Sequence, residues 1–237
     1  MHSFYSTNIS KNLIVLDDVD SKHAIKVLRL KEGDKLTVVD GLGTKYYTKI
    51  IDANYKKTNL EIESKEVFSK EKSIIIALSP TKNKDRVEWF IEKATEIGMT
   101  DFYPIICDNS ERRKLNVSRL EKKTISALKQ SGRYWKPAIN EQVNFKEFIK
   151  SVNIGNKYIA HCNDTYKEQL NSIVNKNKPQ LILIGPEGDF TLEEIKLAED
   201  LGFINVSLGD NRLRTETAGI VATTLMALSP KLVGLKK

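Results

Sequence analysis

Strand-like and helix-like segments alternate along the chain after residue 73, and this alternation limits the possible folds more than any other feature. Apolar runs typical of buried strands occur at residues 73–78, 102–107, 158–162, 181–184 and 203–208. Helical periodicity or capping signals fall between them, at residues 84–97, 118–131, 165–174, 191–202 and 216–228. This pattern is typical of an α/β domain with a mostly parallel sheet covered by helices on both faces.

Three helices carry clear end signals. In the segment 84–97 the apolar residues recur at helical spacing, and Gly98 follows as a stop. The motif Ser118-Arg-Leu-Glu121 predicts a capping box for the next helix, and Thr191-Leu-Glu-Glu194 predicts another. We therefore expect helices to begin at both motifs.

The first 68 residues have a different pattern, with short strands at residues 36–39, 46–51 and 60–63. Asp40-Gly41 predicts a hairpin turn. One short helix is predicted over residues 20–28, with Asp20 or Ser21 as its N-cap and Ala24, Val27 and Leu28 on one face. A small β-barrel is the simplest interpretation. The polar segment 64–72 is predicted to be a linker, which gives two domains, 1–68 and 73–237.

Composition excludes several classes of protein. The apolar runs, such as residues 74–78 and 181–184, are far below the roughly 20 residues that span a bilayer, so we expect no membrane association. The N-terminus lacks the pattern of a secretory signal. The chain has only Cys107 and Cys162 and no CxxC, HExxH or Cys/His cluster, which argues against a disulfide framework and a metal site. We expect a cytoplasmic protein without a metal.

The net charge of +7 is concentrated in residues 110–136, which hold nine basic and two acidic side chains. Such a cluster attracts polyanions by neutralising phosphates, although a solvated helix face is the alternative interpretation. Tyr134 and Trp135 directly follow Arg133, and exposed aromatic side chains suit base stacking. Contact with nucleic acid and a plain solvated surface remain open on these residues alone.

Two predicted strand ends carry unusual loops. The first strand ends in IGPEGDF, residues 184–190, and the second in SLGDNRLRTETAG, residues 207–219. Ligands of open α/β sheets bind beyond the carboxyl ends of the strands, and glycines allow close approach of the backbone. The fingerprints of dinucleotide-binding folds, P-loops and nucleophile elbows are absent. We expect the two loops to border one shared ligand site.

These two loops together closely resemble the signature of the RsmE family of bacterial small-subunit rRNA methyltransferases. Further segments agree with the family in order and spacing, namely HAIKVLR at 23–29, KATEIG at 93–98 and QSGR at 130–133. The resemblance covers nearly the whole chain.

The resemblance implies a SPOUT-type α/β domain with a trefoil knot, preceded by a PUA-like RNA-binding β-barrel. It implies S-adenosyl-L-methionine as cofactor, a homodimer, and methylation of N3 of a uridine in 16S rRNA or the 30S subunit. The cofactor residues that it implies are His161, Leu183, Gly185, Glu187, Gly188, Leu208, Gly209, Leu213, Arg214, Thr215 and Ala218.

Methylation of a ring nitrogen requires that the acceptor atom be aligned with the donor methyl group. It also requires a group that accepts the N3 proton or stabilises the anion left by its loss. We assign anion stabilisation to Arg214 and orientation or proton acceptance to Glu216, for which helix stabilisation is the alternative. RNA contacts are assigned to His23, Lys26, Arg29, Arg112, Arg113 and Arg133, with Lys84 and Arg86 as outside candidates.

The chain departs from the family pattern at two places. Asp189 stands where the family often has a third glycine, and Asn211 stands at an arginine position, with Arg212 one place later. Three other functions remain as alternatives: a SPOUT methyltransferase acting on another RNA base, a non-catalytic RNA-binding ribosome-assembly factor, and a nicotinamide oxidoreductase, which the missing fingerprint disfavours.

Overall fold

The computed structural model describes residues 3–70, 72–175 and 177–228. The chain divides into two compact units. The N-terminal unit consists of the residues up to Lys70 together with Ile125–Lys136, and the α/β unit consists of Glu71–Thr124 and the chain from Pro137 onward. The segment Ile125–Lys136 thus groups with the N-terminal unit, whereas the predicted boundary places it in the second domain.

The N-terminal unit is a curled five-stranded sheet with the strand order β1-β3-β4-β5-β2. Strand β1 is parallel to β3 and the other pairs are antiparallel. The hydroxyl of Ser6, just after β1, donates to the Val15 carbonyl of β2 at 2.8 Å and draws the two edge strands together. This agrees with the predicted small barrel. Its elements are β1 (Ser3–Tyr5), β2 (Leu13–Val15), α1 (Asp18–Lys22), a π-helical turn (His23–Val27), β3 (Lys35–Val39), β4 (Thr44–Asp52) and β5 (Asn59–Val67).

The predicted hairpin at Asp40-Gly41 is confirmed. The Asp40 carboxylate accepts from the Leu42 and Thr44 amides at 2.7 and 2.9 Å, and Gly41 takes a positive φ of 72°. The predicted linker is wrong in its first half, because β5 continues to Val67. Residues Ser64 to Val67 pair with β4, so their polar side chains mark an exposed strand face and not a break in structure.

The first helix also differs from the prediction. Asp17 is its N-cap, accepting from the Asp20 amide at 2.7 Å, while Asp20 and Ser21 are buried. After Lys22 the helix widens into the π-helical turn, closed by the Leu28 amide bonding the His23 carbonyl at 2.9 Å. The wider turn rotates the following side chains. Ala24 is buried, but Val27 is 67% exposed and does not share its face.

The end of the segment Ile125–Lys136 packs within the N-terminal unit. The Tyr134 ring stacks on Phe68 with centroids 3.7 Å apart, and the Trp135 indole donates to the Phe68 and Ser69 carbonyls at 3.2 Å. Trp135 also covers Gly43 so closely that a Cβ there would meet the indole at 2.3 Å. Stacking of these two aromatics on RNA bases, as the sequence suggested, is therefore replaced by packing inside the protein.

The α/β unit contains an eight-stranded, parallel sheet with the order β11-β13-β10-β12-β6-β7-β8 and β9 paired to β7. Helix α3 (Val117–Ser131) begins in this unit, and its residues from Ile125 onward group with the N-terminal unit. The other elements are β6 (Ile74–Leu78), α2 (Lys84–Ile97), β7 (Asp101–Ile106), β8 (Ala138–Ile139), β9 (Val143–Asn144), α4 (Phe145–Ser151), β10 (Asn156–Ala160), β11 (Glu168–Gln169), α5 (Leu170–Ile173), β12 (Gln180–Ile184), α6 (Leu192–Asp200), β13 (Ile204–Ser207) and α7 (Thr215–Leu228).

Both faces of this sheet are covered, as predicted. Along β12 the side chains alternate, so that Ile182 and Ile184 join one core and Leu181 and Leu183 the other. Helices α2 and α7 contribute Phe90 and Met226 to the first core, while α4 and α6 cover the second. A strand buried on both faces explains the continuous apolar run QLILI.

Two predicted helix features in this unit are wrong. Residues 165–174 hold the short strand β11 and the one-turn helix α5, because Glu168 and Gln169 pair with β13. Helix α3 begins at Val117, and the Asn116 side chain accepts from the Arg119 amide at 3.0 Å, so Ser118 is not the cap. The capping box at Thr191 and Glu194 is confirmed. The trefoil knot stays a prediction.

Candidate functional site

The site lies at the carboxyl edge of the parallel sheet, where β10, β12 and β13 end side by side. The first loop, residues 185–190, follows β12, and the second loop, residues 208–214, follows β13 and leads into α7. A cleft of about 810 Å³ lies between these loops, within the size range of small-molecule sites. The prediction that the two loops border one hollow is confirmed.

The first loop is a tight turn, in which the Asp189 amide donates to the Pro186 carbonyl at 2.9 Å. Asp189 has a positive φ of 64°, a conformation that aspartate tolerates better than most residues. Its carboxylate accepts from the Cys162 amide at 2.7 Å and from the Phe190 amide at 2.8 Å. These bonds offset the backbone strain and explain how Asp occupies a position where the family often has Gly.

Neighbouring loops brace the first loop from outside the cleft. The Asn109 side chain donates to the carbonyls of Gly188 and Asp189 at 3.3 and 3.0 Å. The Glu187 carboxylate accepts from the Lys82 amide at 3.0 Å. The Arg112 guanidinium in turn donates to the Lys82 carbonyl at 3.0 and 2.6 Å. The loop is therefore held in place before any ligand binds.

The second loop turns at Gly209, whose φ is 128°. The Ser207 hydroxyl accepts from the Gly209 amide at 3.2 Å and donates to its carbonyl at 3.0 Å. Arg212 reaches across the cleft and donates to the Glu187 carbonyl at 3.4 Å. Asn211 and Arg212 both line the cleft, so the shifted arginine remains at the same site.

One buried hydrogen bond joins the first loop to the start of α7, because the Thr215 hydroxyl donates to the Gly185 carbonyl at 3.0 Å. Gly185 itself lies against the Phe190 ring, which a Cβ would approach to 3.1 Å. The Ala218 amide donates to the Arg214 carbonyl at 2.8 Å and starts α7 at the cleft. The start of α7 and the first loop are thereby held in one geometry.

His161 directly follows β10, which lies between β12 and β13 in the sheet. It lines the cleft, is 8% exposed, and neither of its ring nitrogens has a hydrogen-bond partner among the described residues. Burial lowers the pKa of His161 below its usual value, so the ring is neutral near pH 7. A buried ring with two unused nitrogens is suited to hydrogen bonding with a ligand in the cleft.

Glu216 lies in the first turn of α7 and is 7% exposed. Its Oε1 lies 3.6 Å from Nε of Arg86, and its Oε2 is buried without a hydrogen-bond partner among the described residues. Arg86 lines the cleft, whereas Glu216, the next residue after the lining residue Thr215, is not part of the lining. Arg214 is exposed and lines the cleft from the second loop.

Most of the predicted cofactor residues come together in this cleft. The lining includes His161, Gly185, Glu187, Leu208, Gly209, Leu213, Arg214, Thr215 and Ala218. Leu183 and Gly188 lie outside the lining. The Leu183 side chain is buried in the second core, because alternation along β12 turns it away from the side of Ile184. Gly188 faces Asn109.

Several residues that line the cleft were not predicted from the sequence. Cys162, Asp164 and Lys167 follow β10, where the sequence was interpreted as a strand end and a helix. Lys167 donates to the carbonyls of His161 and Asn163 and stabilises this turn. Only the β10 register, which places residue 160 between Ile184 and Val206, identifies this segment as a third wall.

The predicted RNA-binding residues fall in both units. In the N-terminal unit His23, Lys26 and Arg29 are exposed on or just after the π-helical turn, and Lys26 lies over the Tyr55 ring at 3.8 Å. Arg133 is half-buried there. In the α/β unit Arg112 is bound to backbone carbonyls, and Arg113 donates to the Asp108 carbonyl at 3.3 Å while remaining exposed.

The described residues contain neither a metal-binding cluster nor a helix that could span a membrane. No group of three or more His, Cys, Asp or Glu side chains within 3–70, 72–175 and 177–228 is arranged to hold a metal ion. Over the same ranges, none of the helices combines the length and the apolar character that crossing a bilayer demands.

Comparison with known families assigns both units. The RNA methyltransferase domain family matches residues 69–227, and the RNA methyltransferase PUA domain family matches residues 16–63. The ribosomal RNA small subunit methyltransferase E of Rickettsia conorii is 33% identical over 216 residues, which cover 87% of this chain and 86% of that protein.

Solved structures are similar over almost the full length. A probable rRNA-methyltransferase from Porphyromonas gingivalis has a TM-score of 0.89 and 36% identity, with 94% of this chain and 95% of that chain covered. A ribosomal RNA small subunit methyltransferase E from Neisseria gonorrhoeae, bound to S-adenosyl methionine, has a TM-score of 0.83 and 29% identity, with 95% and 96% covered.

Proposed function

Because this chain belongs to the ribosomal RNA small subunit methyltransferase E family, we propose that it transfers a methyl group from S-adenosylmethionine to N3 of a uridine in 16S rRNA. The observation that carries the proposal is the single cleft shared by the loops after β12 and β13. A relative of 29% identity with the same fold was solved with S-adenosyl methionine bound.

The residues of the cleft suit this cofactor. Its volume of about 810 Å³ is ample for a small molecule, and glycines at 185 and 209 leave backbone groups accessible to a ligand. The unpartnered nitrogens of His161 offer hydrogen bonds to polar groups of a nucleoside. When bound, S-adenosylmethionine supplies an electrophilic methyl group on a sulfonium.

The chain's own residues must orient the base and manage the N3 proton. We assign to Arg214, which is exposed at the cleft, the stabilisation of negative charge that develops on the uracil oxygens. Glu216, whose Oε2 has no partner among the described residues, is the candidate proton acceptor. The N3 atom lies on the Watson–Crick edge, so the base must be unpaired or flipped out when it enters.

RNA recognition is assigned to basic side chains of both units. We propose the exposed His23, Lys26 and Arg29 and the half-buried Arg133 in the N-terminal unit, and the exposed Arg113 in the α/β unit, as phosphate contacts. Arg112 stays in the proposal, but its bonds to the Lys82 carbonyl leave fewer donors for RNA. Lys84 and Arg86 remain outside candidates, and for Arg86 the pairing with Glu216 favours a role in the cleft.

We further propose a homodimer located in the cytoplasm. From Ala218 to Leu228 helix α7 carries only small, apolar or threonine side chains, and Leu228 is 72% exposed. Such a helix suits burial against a second copy of the chain. Light scattering after size-exclusion chromatography measures the mass in solution, and a monomer at micromolar concentration would reject the dimer.

Two measurements test the function. Titration calorimetry with S-adenosylmethionine should detect one binding site per chain, whereas a non-catalytic assembly factor has no need of this cofactor. Incubation of 30S subunits from a strain lacking the activity with radiolabelled cofactor should then label one uridine. Nucleoside mass analysis that finds a different modified base would favour another RNA substrate over the one proposed.

The RNA surface is tested by filter binding of 30S particles at several salt concentrations. Replacing Arg113 with Gln should weaken binding and reduce the salt slope by about one, as for loss of one phosphate contact. Lys150→Gln, a charge change on α4 outside the proposed surface, is the matched control. Unchanged affinity and slope for the Arg113 and Arg112 variants together would reject the surface in the α/β unit.

A further inference from the structure

Glu216 is a buried carboxylate with only one of its two oxygens engaged. The Nε atom of Arg86 lies 3.6 Å from Oε1, while Oε2 has no hydrogen-bond partner among the described residues. Buried polar atoms in folded proteins are nearly always hydrogen-bonded, and each exception calls for an explanation, such as a catalytic role. No group among the described residues satisfies this oxygen.

Support of the helix does not account for this arrangement. A carboxylate in the first turn stabilises a helix equally well from an exposed position, where it pays no desolvation cost. Glu216 is instead 7% exposed and follows the cleft-lining residue Thr215 in the chain. The terminal torsion of a glutamate is soft, so the carboxylate reorients without backbone movement.

We infer that Arg86 is a positioning residue for methyl transfer: by pairing with one oxygen of Glu216, it leaves the other oxygen for the N3–H group of the target base. This inference rests on the proposed function. Arg86 is itself part of the cleft lining and comes from the first turn of α2, which packs closely against α7. The pair thus connects two helix starts at the site of chemistry.

The charged surroundings of Glu216 are simple. The other elements that pack against α7, namely β6, β12 and α5, contain no acidic or basic side chain. On α2, Glu88 pairs with Arg119 at 2.5 Å, and Lys93 pairs with Glu92 and Glu96. Lys84 and Asp85 are exposed, and Arg214 is exposed on the second loop. Arg86 is therefore the cation paired with Glu216 within the described chain.

The test is a double-mutant cycle on the full-length protein, measured as single-turnover methylation of 30S subunits at saturating cofactor between pH 6 and 9. The variants are Arg86→Gln, Glu216→Gln, their combination and Arg86→Lys. Lys93→Gln, which removes one charge from the same helix away from the cleft, is the control. Cofactor affinity is measured for each by calorimetry.

We expect Arg86→Gln to slow methylation about tenfold or more across this pH range, because the Glu216 carboxylate then lacks the cation that orients it. The combined variant should match Glu216→Gln within about twofold, since Arg86 acts through that carboxylate. Arg86→Lys should recover part of the rate, and cofactor affinity should not change.

Losses that multiply in the combined variant would overturn the inference while leaving the proposed function intact. If Arg86→Gln does not fold, the rate of Arg86→Lys tests the inference instead. A rate for Arg86→Lys above that of Glu216→Gln supports the inference, and a rate at or below it overturns the inference. A wild-type protein without cofactor binding or methylation would reject the proposed function itself.

Discussion

The hydroxyl of Thr215 donates a 3.0 Å hydrogen bond to the carbonyl of Gly185, and this bond joins the start of α7 to the loop after β12. Both groups are buried. The bond therefore ties two parts of the cleft lining together.

Replacing Thr215 with Val should weaken cofactor binding. The change leaves the Gly185 carbonyl buried without its donor, at a cost of about 1–2 kcal/mol, or roughly a tenfold loss in affinity if the loops separate. Calorimetric titration measures it. Thr224→Val is the matched control, since that hydroxyl bonds only the Ile220 carbonyl within the same helix. Equal affinities for both variants would contradict the assigned role.

Asp189 should be required for the stability of the first loop. At a φ of 64° an Ala side chain is strained by about 1 kcal/mol and makes none of the bonds to the Cys162 and Phe190 amides. Gly relieves the strain but also lacks these bonds. Urea denaturation should therefore rank the free energy of unfolding as wild type, then Asp189→Gly, then Asp189→Ala. The reverse order of the two variants would show that backbone strain is not the deciding factor.

His161 should make the protein less stable in acid. Burial lowers the pKa of His161 in the folded chain, so the unfolded chain takes up a proton that the folded chain does not. Stability is thus lost as the pH falls below the ordinary histidine value of about 6.5. The difference in unfolding free energy between wild type and His161→Gln should shift against wild type from pH 7.5 to 5.5. A constant difference across this range would contradict the assignment.

The ion pair between Asp20 and Lys129 should stabilise the N-terminal unit. Its N–O distance is 2.7 Å, and Asp20 is 4% exposed. Asp20→Asn removes the charge partner of a largely buried lysine, and we expect a loss of about 2–4 kcal/mol in unfolding free energy. Asp18→Asn on the same helix breaks the exposed pair with Lys22 and should cost no more than about 0.5 kcal/mol. Similar losses for both would refute the distinction.

The family and the parallel α/β architecture were predicted from the sequence and are confirmed. Long periodic elements such as α2, and strands buried on both faces such as β12, can be predicted because the apolar pattern lies in their own side chains. The loops IGPEGDF and SLGDNRLRTETA carry the family signature for a similar reason, since their glycines and charges are unusual in any turn. Residue roles assigned from the signature remain predictions.

The shortest strands and the π-helical turn were not predicted from the sequence. Strands β1, β2, β8, β9 and β11 have two or three residues each, too few for a period to show, and they exist because a neighbouring strand offers hydrogen bonds. The exposure of Val27 follows from a π-helical turn that no local residue pattern distinguishes from an α-helix. Tyr134 was interpreted as a base-stacking residue because its partner Phe68 lies far away in sequence.

The amino-acid sequence alone determined the periodic elements, the family and the two loops, because each depends on residues adjacent along the chain. Only the tertiary structure decided that Asp189 offsets its backbone strain through Cys162, that His161 lines the cleft with both loops, and that Arg86 pairs with Glu216. The bond from Cys162 to Asp189 joins residues 27 positions apart, and the pair of Arg86 and Glu216 joins residues 130 positions apart. Strand order and helix packing bring such residues together, and no local pattern encodes that order.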